Sequence, residues 1–381
     1  MGFDLPPSFR KLTATQRHDA ILKALQLTEL QTEFDLEWAD RLVENAFGWH
    51  HLPMGLVPNF IVNGRSYQVP LVTEEPSVIA AVSYVAKILE RVGGIKAEST
   101  PSLIRGQLFL EGANAERWDE ARSELINLAE AGLSRMTHRG GGLRMIQHEV
   151  LPQSRLFLIT FLVDVCDAQG ANATNSLLEE LSPHAERLLG GRRLMAILSN
   201  NSPERLGRAS FAIPVGHLAR GPFSGEQMAQ RLCLAWEAAR ECVDRAVTHN
   251  KGIMNGITAL ALATGNDTRA LEAAVHCYAS RSGRYQPLSS YQVVDDHLKA
   301  TIQLPLPLAT VGGGTHALPS SNLVWKILGI TKAQELMELA AALGLVQNFA
   351  ALMALCGEGI QHGHMQLHQK RLKTENSRDQ G

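Results

Sequence analysis

A lysine and an aspartate stand near the two ends of an uncharged apolar stretch in this chain of 381 residues. Lys251 lies in the polar segment THNKGIMN (248–255) and Asp267 ends the segment GND, while residues 257–264 between them carry no charge. We predict that this stretch is buried, so that the Lys251 ammonium needs a carboxylate partner, for which Asp267 is the candidate. A positive charge held by a carboxylate in this way indicates catalytic chemistry. The alternative is a structural ion pair that ties two loops together.

A second acidic cluster, Glu74-Glu75-Pro76-Ser77, follows a predicted hairpin that turns at Asn63-Gly64. The proline and the apolar run from Val78 to Val92 predict that the cluster opens a helix. The alternative for its carboxylates is the capping of that helix, whose dipole they complement.

Near the C-terminus stand His362, His364 and His368, and the i, i+4 spacing of the last two is that of metal ligands on one helix face. The glutamate of an H-E-x-x-H site is missing between them. We therefore predict no metal site.

The composition is that of a globular protein whose partner is a small molecule. A formal charge of -2 favours neither nucleic acid nor an anionic membrane. No basic and apolar leader opens the chain, and no uninterrupted apolar run of 18 residues follows, so we expect no membrane span. The five cysteines are scattered, odd in number and never spaced C-x-x-C, which predicts reduced thiols and a cytoplasmic location.

The length of the chain predicts two domains, one inserted in the other. Residues 102–199 follow a β-α-β-β-α-β order, which is typical of a small ferredoxin-like domain. Residues 1–101 and 200–381 are then expected to form a large mixed α/β domain with a central long helix, so the predicted fold class is α+β. The capping-box spacing at Ser224 predicts a long helix that runs past Ala246 and carries Arg245 at its C-terminal end.

Six motifs, in this order along the chain, resemble those of the class II 3-hydroxy-3-methylglutaryl-coenzyme A (HMG-CoA) reductases. The family's small C-terminal flap continues well past the last of them, so the resemblance leads us to expect that most of the flap is absent here. The motifs are ENAFG (44–48), VTEEPS (72–77), DAQGAN (167–172), THNKGIMNG (248–256), GND (265–267) and GHM (363–365).

The resemblance implies a cytoplasmic homodimer with active sites at the subunit interface. Its reaction is the reduction of HMG-CoA to mevalonate and free coenzyme A, or the reverse, by two hydride transfers with NADPH or NADH. The large domain would bind the acyl-CoA and the inserted domain the nicotinamide cofactor. We expect no metal, no nucleic-acid partner and no membrane association.

The same resemblance implies roles for single residues. Lys251 would hold the reacting oxygen with Asp267 as its partner, Glu75 would be the acid, and His364 would protonate the departing thiolate. A fixed ammonium in a dry site stabilises the oxygen's developing negative charge far better than water does. Arg10, Ser77, Arg245, Asn255 and Gln347 would bind the substrate, and Asp167, Gly170, Asn172 and Asn200 the cofactor.

Cofactor preference is predicted from the end of the first helix of the inserted domain. NAD-using relatives carry an aspartate there, and the matching position is Leu133, with basic residues Arg135, His138 and Arg139 beside it. A phosphate contact with Arg135 predicts NADPH rather than NADH. The alternative is that these are surface charges and that Glu130 binds the ribose diol.

The sequence is also compatible with a second function. Without the flap, water would reach the aldehyde stage of the reaction. A binding or regulatory homologue with little turnover is the alternative to an enzyme.

Overall fold

The computed structural model describes residues 5–6, 9–27 and 36–357. Its helices and strands form the predicted α+β fold. The helices are α1 (Ala14–Leu25), α2 (Leu36–Leu42), α3 (Val78–Glu90), α4 (Trp118–Gly132), α5 (Ser134–Thr137), α6 (Ala171–Leu189), α7 (Gly225–Glu241), α8 (Val243–Ala263), α9 (Thr268–Ala279), α10 (Pro319–Leu328) and α11 (Ala333–Cys356). The strands are β1 (Met54–Val62), β2 (Arg65–Val72), β3 (Lys96–Ser99), β4 (Leu103–Glu111), β5 (Gly142–Val150), β6 (Phe157–Asp164), β7 (Arg192–Ser199), β8 (Leu206–Pro214), β9 (Ser289–Val294) and β10 (His297–Pro305).

Strands β4 to β7 form one antiparallel sheet in the order β5-β6-β4-β7. Helices α4 and α6 pack together on this sheet and close a core of their own, which includes Leu108, Phe161 and Leu178. The β-α-β-β-α-β order with β6 and β4 in the centre is the ferredoxin-like arrangement that the sequence predicts. We call it the inserted unit, and its boundaries at 101/102 and 199/200 stay a prediction.

Helix α11 runs through the middle of the remaining part, the large unit, where it contacts α3, α8, β3 and β8. The four-stranded sheet β3-β8-β10-β9 lies against it. This helix is long and apolar enough to cross a membrane, yet 83% of its most apolar window is buried inside the protein. Its apolar surface is therefore used by the protein core, as in other helices that are hydrophobic on all sides.

The predicted hairpin is formed by β1 and β2, with Val62 paired with Arg65. Asn63 and Gly64 between them have φ of 51° and 79°. Positive φ at both central residues is what a tight two-residue hairpin turn requires, and asparagine followed by glycine adopts it at least cost. The hairpin fixes the end of β2, from which the chain enters the turn that carries Glu75.

The predicted single long helix after Ser224 is wrong. The capping box of Ser224 and Gln227 is formed, but the chain breaks at Cys242, whose φ of -109° and ψ of 116° are extended. No glycine or proline stands at this break, and the helical spacing of apolar residues continues across it. The sequence pattern therefore does not indicate that the helix ends there. Arg245 consequently lies in the first turn of α8, where the helix dipole disfavours a cation, and not at a C-terminal end.

Candidate active site

Lys251 lies in the first half of α8, at a cavity of about 220 Å³. Its Nζ donates a hydrogen bond to Glu75 Oε2 at 2.9 Å, and Asn255, one turn further along the helix, lines the same cavity. The predicted burial of Lys251 is wrong, because 58% of its side chain is exposed. The polar and apolar segments form one continuous helix, and the exposed side of that helix carries Lys251.

Asp267 lies beyond the far end of α8. Its Oδ1 accepts the N–H groups of Arg269 at 3.0 Å and Ala270 at 3.1 Å, which makes it the N-cap of α9. At about 1.5 Å per residue, Lys251 stands about 18 Å before Ala263, the last residue of α8. The predicted pairing of Lys251 with Asp267 is therefore wrong within one chain, where Glu75 is the partner of the lysine.

Glu75 and Ser77 lie in the turn between β2 and α3. Because α3 begins at Val78, Glu75 precedes the helix, and its N–H donates to Thr73 Oγ1 at 3.1 Å. Ser77 is the N-cap, with φ of 78° and no side-chain capping bond. A left-handed conformation at a residue other than glycine costs about 1–3 kcal/mol and is commonest in functional segments. The strain favours a functional role for this turn.

The structure does not gather all the predicted substrate-binding residues around Lys251. Arg245 stands on α8 about 120° around the helix axis from Lys251, at about 100° per residue. Burial, and then the charge of Arg245, lower the pKa of His249 to about 3.

Gln347 lies on α11 and is 5% exposed, and its Oε1 finds no hydrogen-bond partner in the described part of the chain. Such an orphan oxygen costs about 1–3 kcal/mol and is available to a polar ligand.

Two predicted site residues fall where little or nothing is described. The backbone of Arg10 belongs to a short 3-10 turn, Phe9–Lys11, while its side chain lies outside the described structure. His364 lies outside the described residues altogether, together with His362 and His368.

A second cavity, of about 270 Å³, lies between the inserted unit and the large unit, and we call it the cofactor cleft after Asn200, a predicted cofactor residue that lines it. The inserted unit contributes Gln169, which precedes α6, and Ala171, the first residue of α6. Asn200, directly after β7, is one of the predicted cofactor residues, and Asp267 lines the same cleft from the other side. The structure therefore brings Asp267 to one of the predicted cofactor residues, Asn200, although it separates this aspartate from Lys251.

The loop from β6 to α6, residues 165–170, contains the predicted cofactor residues Asp167 and Gly170, and we call it the cofactor loop for this prediction. It ends at Gly170, the N-cap of α6, with φ of 83°. A Cβ at this position would stand 2.6 Å from Val165 Cγ1, so only glycine fits. No side chain caps α6, which leaves the first N–H groups of the helix, including that of the exposed Asn172, suited to bind an anion such as a pyrophosphate.

Asp167 is held by the large unit. Its Oδ1 accepts the N–H of Ala333 at 2.8 Å, and its Oδ2 accepts a bond from Lys332 Nζ at 3.1 Å. The aspartate thereby caps the start of α11. Its carboxylate joins the cofactor loop to the central helix of the large unit.

Arg205, which the sequence analysis did not single out, lines the cofactor cleft. It is 1% exposed, its Nη2 donates to Leu308 O, and its Nε is without a partner among the described residues. Burial lowers its pKa to about 10, although the charge of Asp164 acts in the opposite direction. A buried cation beside the cleft favours an anionic ligand.

The expectation that Leu133 corresponds to a ribose-binding position is wrong. Leu133 is 4% exposed and packs in the core of the inserted unit, so its side chain cannot contact a ligand. The basic residues next to it, Arg135, His138 and Arg139, are exposed on and after α5. The carbonyl of Arg139 accepts a bond from Cys166 Sγ at 3.5 Å, so this basic segment touches the cofactor loop.

A hydrogen-bonded chain of side chains beside Lys251 was also missed. Thr258 Oγ1 donates to Glu272 Oε1 at 2.7 Å, the other Glu272 oxygen lies 2.9 Å from His276 Nε2, and His276 Nδ1 lies 2.7 Å from the Tyr285 hydroxyl. The first three residues line the Lys251 cavity. The hydrogen bond from His276 is the main cause that lowers the pKa of Glu272. The i, i+4 spacing of Glu272 and His276 is the one signal in the sequence that could have revealed them.

Comparison with known proteins gives one consistent result. The sequence model of the hydroxymethylglutaryl-coenzyme A reductase family matches residues 11–369. The 3-hydroxy-3-methylglutaryl-coenzyme A reductase of Archaeoglobus fulgidus is 39% identical over 96% of this chain and 86% of its own length. A probable reductase of the same kind from Borreliella burgdorferi is 34% identical over 97% of this chain and 88% of its own length.

Solved structures agree with the sequence matches. A class II reductase from Streptococcus pneumoniae bound to NADPH superimposes with a TM-score of 0.85 at 39% identity, over 92% of this chain and 99% of that one. A second structure of the reductase from the same organism gives a TM-score of 0.87 at 40% identity, over 96% of this chain and 90% of that one.

Proposed function

Because this chain belongs to the hydroxymethylglutaryl-coenzyme A reductase family, we propose that two copies of it build each catalytic site. The reaction is the interconversion of HMG-CoA with mevalonate and coenzyme A, by two hydride transfers from or to a nicotinamide cofactor. The observation that carries the proposal is the separation of Lys251, which pairs with Glu75, from Asp267, which lies in the cofactor cleft.

A two-fold dimer resolves this separation. In such a dimer, a contact of residue i with residue j of the other copy is repeated as a contact of j with i. If Lys251 meets Asp267 of the partner subunit, the symmetry axis passes near the middle of the stretch between the two residues. Leu262, an apolar side chain that is 39% exposed, stands in this part of α8 and lines the Lys251 cavity. Its exposure supports an interface at this position.

Different residues of this chain then have different roles in the reaction. Hydride addition to the thioester carbonyl makes an oxyanion, and the Lys251 ammonium stabilises that charge by a direct hydrogen bond. Expulsion of coenzyme A thiolate from this adduct gives the aldehyde, mevaldehyde, and His364 protonates the thiolate. The second hydride reduces the aldehyde to an alkoxide, which takes up a proton from Glu75. This step uses Glu75 as the neutral acid, and the carboxylate that accepts from Lys251 at 2.9 Å is the form left after the proton transfer.

The cofactor cleft suits a dinucleotide. When bound, the nicotinamide cofactor supplies or accepts the two hydrides. The uncapped start of α6 and the glycine at position 170 fit a phosphate group, and Asn200 and Gln169 offer amide groups. We infer NADPH as the preferred form, because Arg135 and Arg139 form an exposed basic segment that touches the cofactor loop. The NADPH complex of the Streptococcus pneumoniae relative supports this choice.

A reductase assay tests turnover and cofactor preference together. We expect HMG-CoA reduction with kcat/KM about ten- to a hundredfold higher for NADPH than for NADH, the range of a charge-assisted contact to the 2′-phosphate. Arg135→Glu should remove most of this preference, while Arg122→Glu, an exposed charge reversal earlier on α4, should keep it. A clear preference for NADH in the wild-type protein would contradict the inference and point to Glu130. Turnover with neither cofactor would indicate a binding or regulatory homologue.

A second assay tests the proposed role of His364. His364→Gln should slow HMG-CoA reduction about a hundredfold, as expected for the loss of a general acid, and should spare reduction of free mevaldehyde, which releases no thiol. His362→Gln is the neighbouring control and should affect neither substrate. Equal losses on both substrates in His364→Gln would indicate a structural histidine.

The cellular location is proposed from the same features. The five cysteines are all free thiols, and the one helix in the described residues that is both long and apolar enough to span a membrane is mostly buried in the core. Both features support a cytoplasmic enzyme.

A further inference from the structure

A short piece of chain after β10, residues 308–311, lies between the turn that carries Asp267 and the cofactor loop, and we call it the bridging segment. Its contact with the Asp267 turn is made by the side chain of Asn266, which is 7% exposed. Asn266 Oδ1 accepts the Ala309 N–H at 2.8 Å, and Asn266 Nδ2 donates to Ala309 O at 3.1 Å. Both polar groups of one peptide residue are thus paired with one amide side chain.

On the opposite side, the bridging segment is bonded to the cofactor loop of the inserted unit. The N–H groups of Thr310 and Val311 donate to the carbonyl of Asp167 at 3.0 Å and 3.2 Å. The Gln169 N–H in turn donates to the Val311 carbonyl at 3.1 Å. The bridging segment is therefore fixed between a loop of the inserted unit and a turn of the large unit.

The Asp267 turn has little room to move independently of this arrangement. Gly265 has φ of 67°, and a Cβ on it would stand 2.4 Å from the Gly314 carbonyl oxygen. Asn266 Nδ2 also donates to Thr264 Oγ1 at 2.9 Å, which ties the amide to the end of α8. A buried polar group with all its bonds made fixes its neighbours, because every alternative position leaves it unsatisfied.

We propose that Asn266 is a positioning residue that holds Asp267 and the cofactor loop in one fixed arrangement through the bridging segment. The inference rests on the proposed function, which places Asp267 and the cofactor at one site. It follows that cofactor binding and the position of Asp267 are coupled, although Asn266 is not among the residues that line the cofactor cleft.

A matched control, Asn250, lies on α8, the helix that precedes the Asp267 turn. Asn250 is fully buried, its Nδ2 donates to Gln286 O at 2.9 Å, and its Oδ1 accepts the Leu288 N–H at 3.0 Å. Asn250 binds a loop backbone in the same manner as Asn266, but that loop leads into β9 of the large unit. Removal of either amide leaves buried backbone groups unpaired, so both variants should lose comparable stability.

The test compares NADPH binding in Asn266→Ala and Asn250→Ala, measured by the fluorescence of the reduced cofactor on the dimeric protein. We expect Asn266→Ala to weaken NADPH binding at least about fivefold, the lower end of ordinary coupling between sites. Asn250→Ala should change the NADPH affinity less than twofold at a similar loss of Tm, because residues far apart with no shared partners act independently. Equal NADPH affinities in the two variants would overturn the proposal and leave Asn266 a structural residue.

Hydrogen exchange of the wild-type protein gives a second measurement that does not depend on a variant folding. The residues that line the cofactor cleft do not include Ala309, yet NADPH should slow exchange of its amide together with the cofactor loop, and should leave the Leu288 amide unchanged. Protection of the cofactor loop alone would contradict the coupling. Neither readout needs turnover, so a protein that binds NADPH without reducing HMG-CoA would refute the proposed function and not this inference.

Discussion

Lys251→Ala should lower HMG-CoA reduction at least about a hundredfold, because loss of one preorganised oxyanion donor costs about 3 kcal/mol or more in the transition state. The lysine donates to Glu75 and is 58% exposed, so its removal leaves no buried charge unpaired. We therefore expect Tm, dimer formation and coenzyme A binding to stay close to those of the wild type.

Lys299→Ala is the control for this variant. Lys299 is also an exposed lysine in an ion pair, with Asp295 at 3.9 Å, but it lies on β10 away from both cavities. Lys299→Ala should therefore keep full activity. Half of the wild-type rate in Lys251→Ala would show that another group stabilises the oxyanion.

Mixing two inactive variants should restore activity if each site takes Lys251 from one copy and Asp267 from the other. Lys251→Ala and Asp267→Ala dimers would each have two damaged sites. After subunit exchange, a mixed dimer has one site with both changes and one site with neither. Because half of randomly paired dimers are mixed, activity should rise to about a quarter of that of the wild type.

The control is a mixture of Lys251→Ala and Glu75→Ala. Lys251 and Glu75 pair within one chain, so each catalytic site takes both of them from the same copy. Every mixed dimer then has one changed residue in each site, and no activity should return. If the first mixture also stays inactive although exchange is demonstrated by mass, the two-copy site is refuted and Asp267 must act within its own chain.

Local features of this protein could be predicted well from the sequence. The hairpin at Asn63-Gly64 and the capping box at Ser224 are formed as predicted, because turn and cap geometry depend on a few neighbouring residues. The ferredoxin-like order of the inserted unit was predictable from the alternation of strands and helices. The order of six motifs was enough to recognise the family.

Spatial pairing was decided only by the tertiary structure. A helix carries residues of one sequence segment to points far apart, so Lys251 and Asp267 occupy different cavities, although only 15 residues lie between them in the chain. Glu75, remote in sequence, becomes the partner of the lysine, because the turn after β2 packs against α8. The burial of Leu133 and the break at Cys242 likewise depend on packing against other elements. The kind of chemistry could therefore be predicted from the residue types. Which residues pair with one another was decided only in the folded chain, because packing, and not separation in sequence, sets the distance between two side chains.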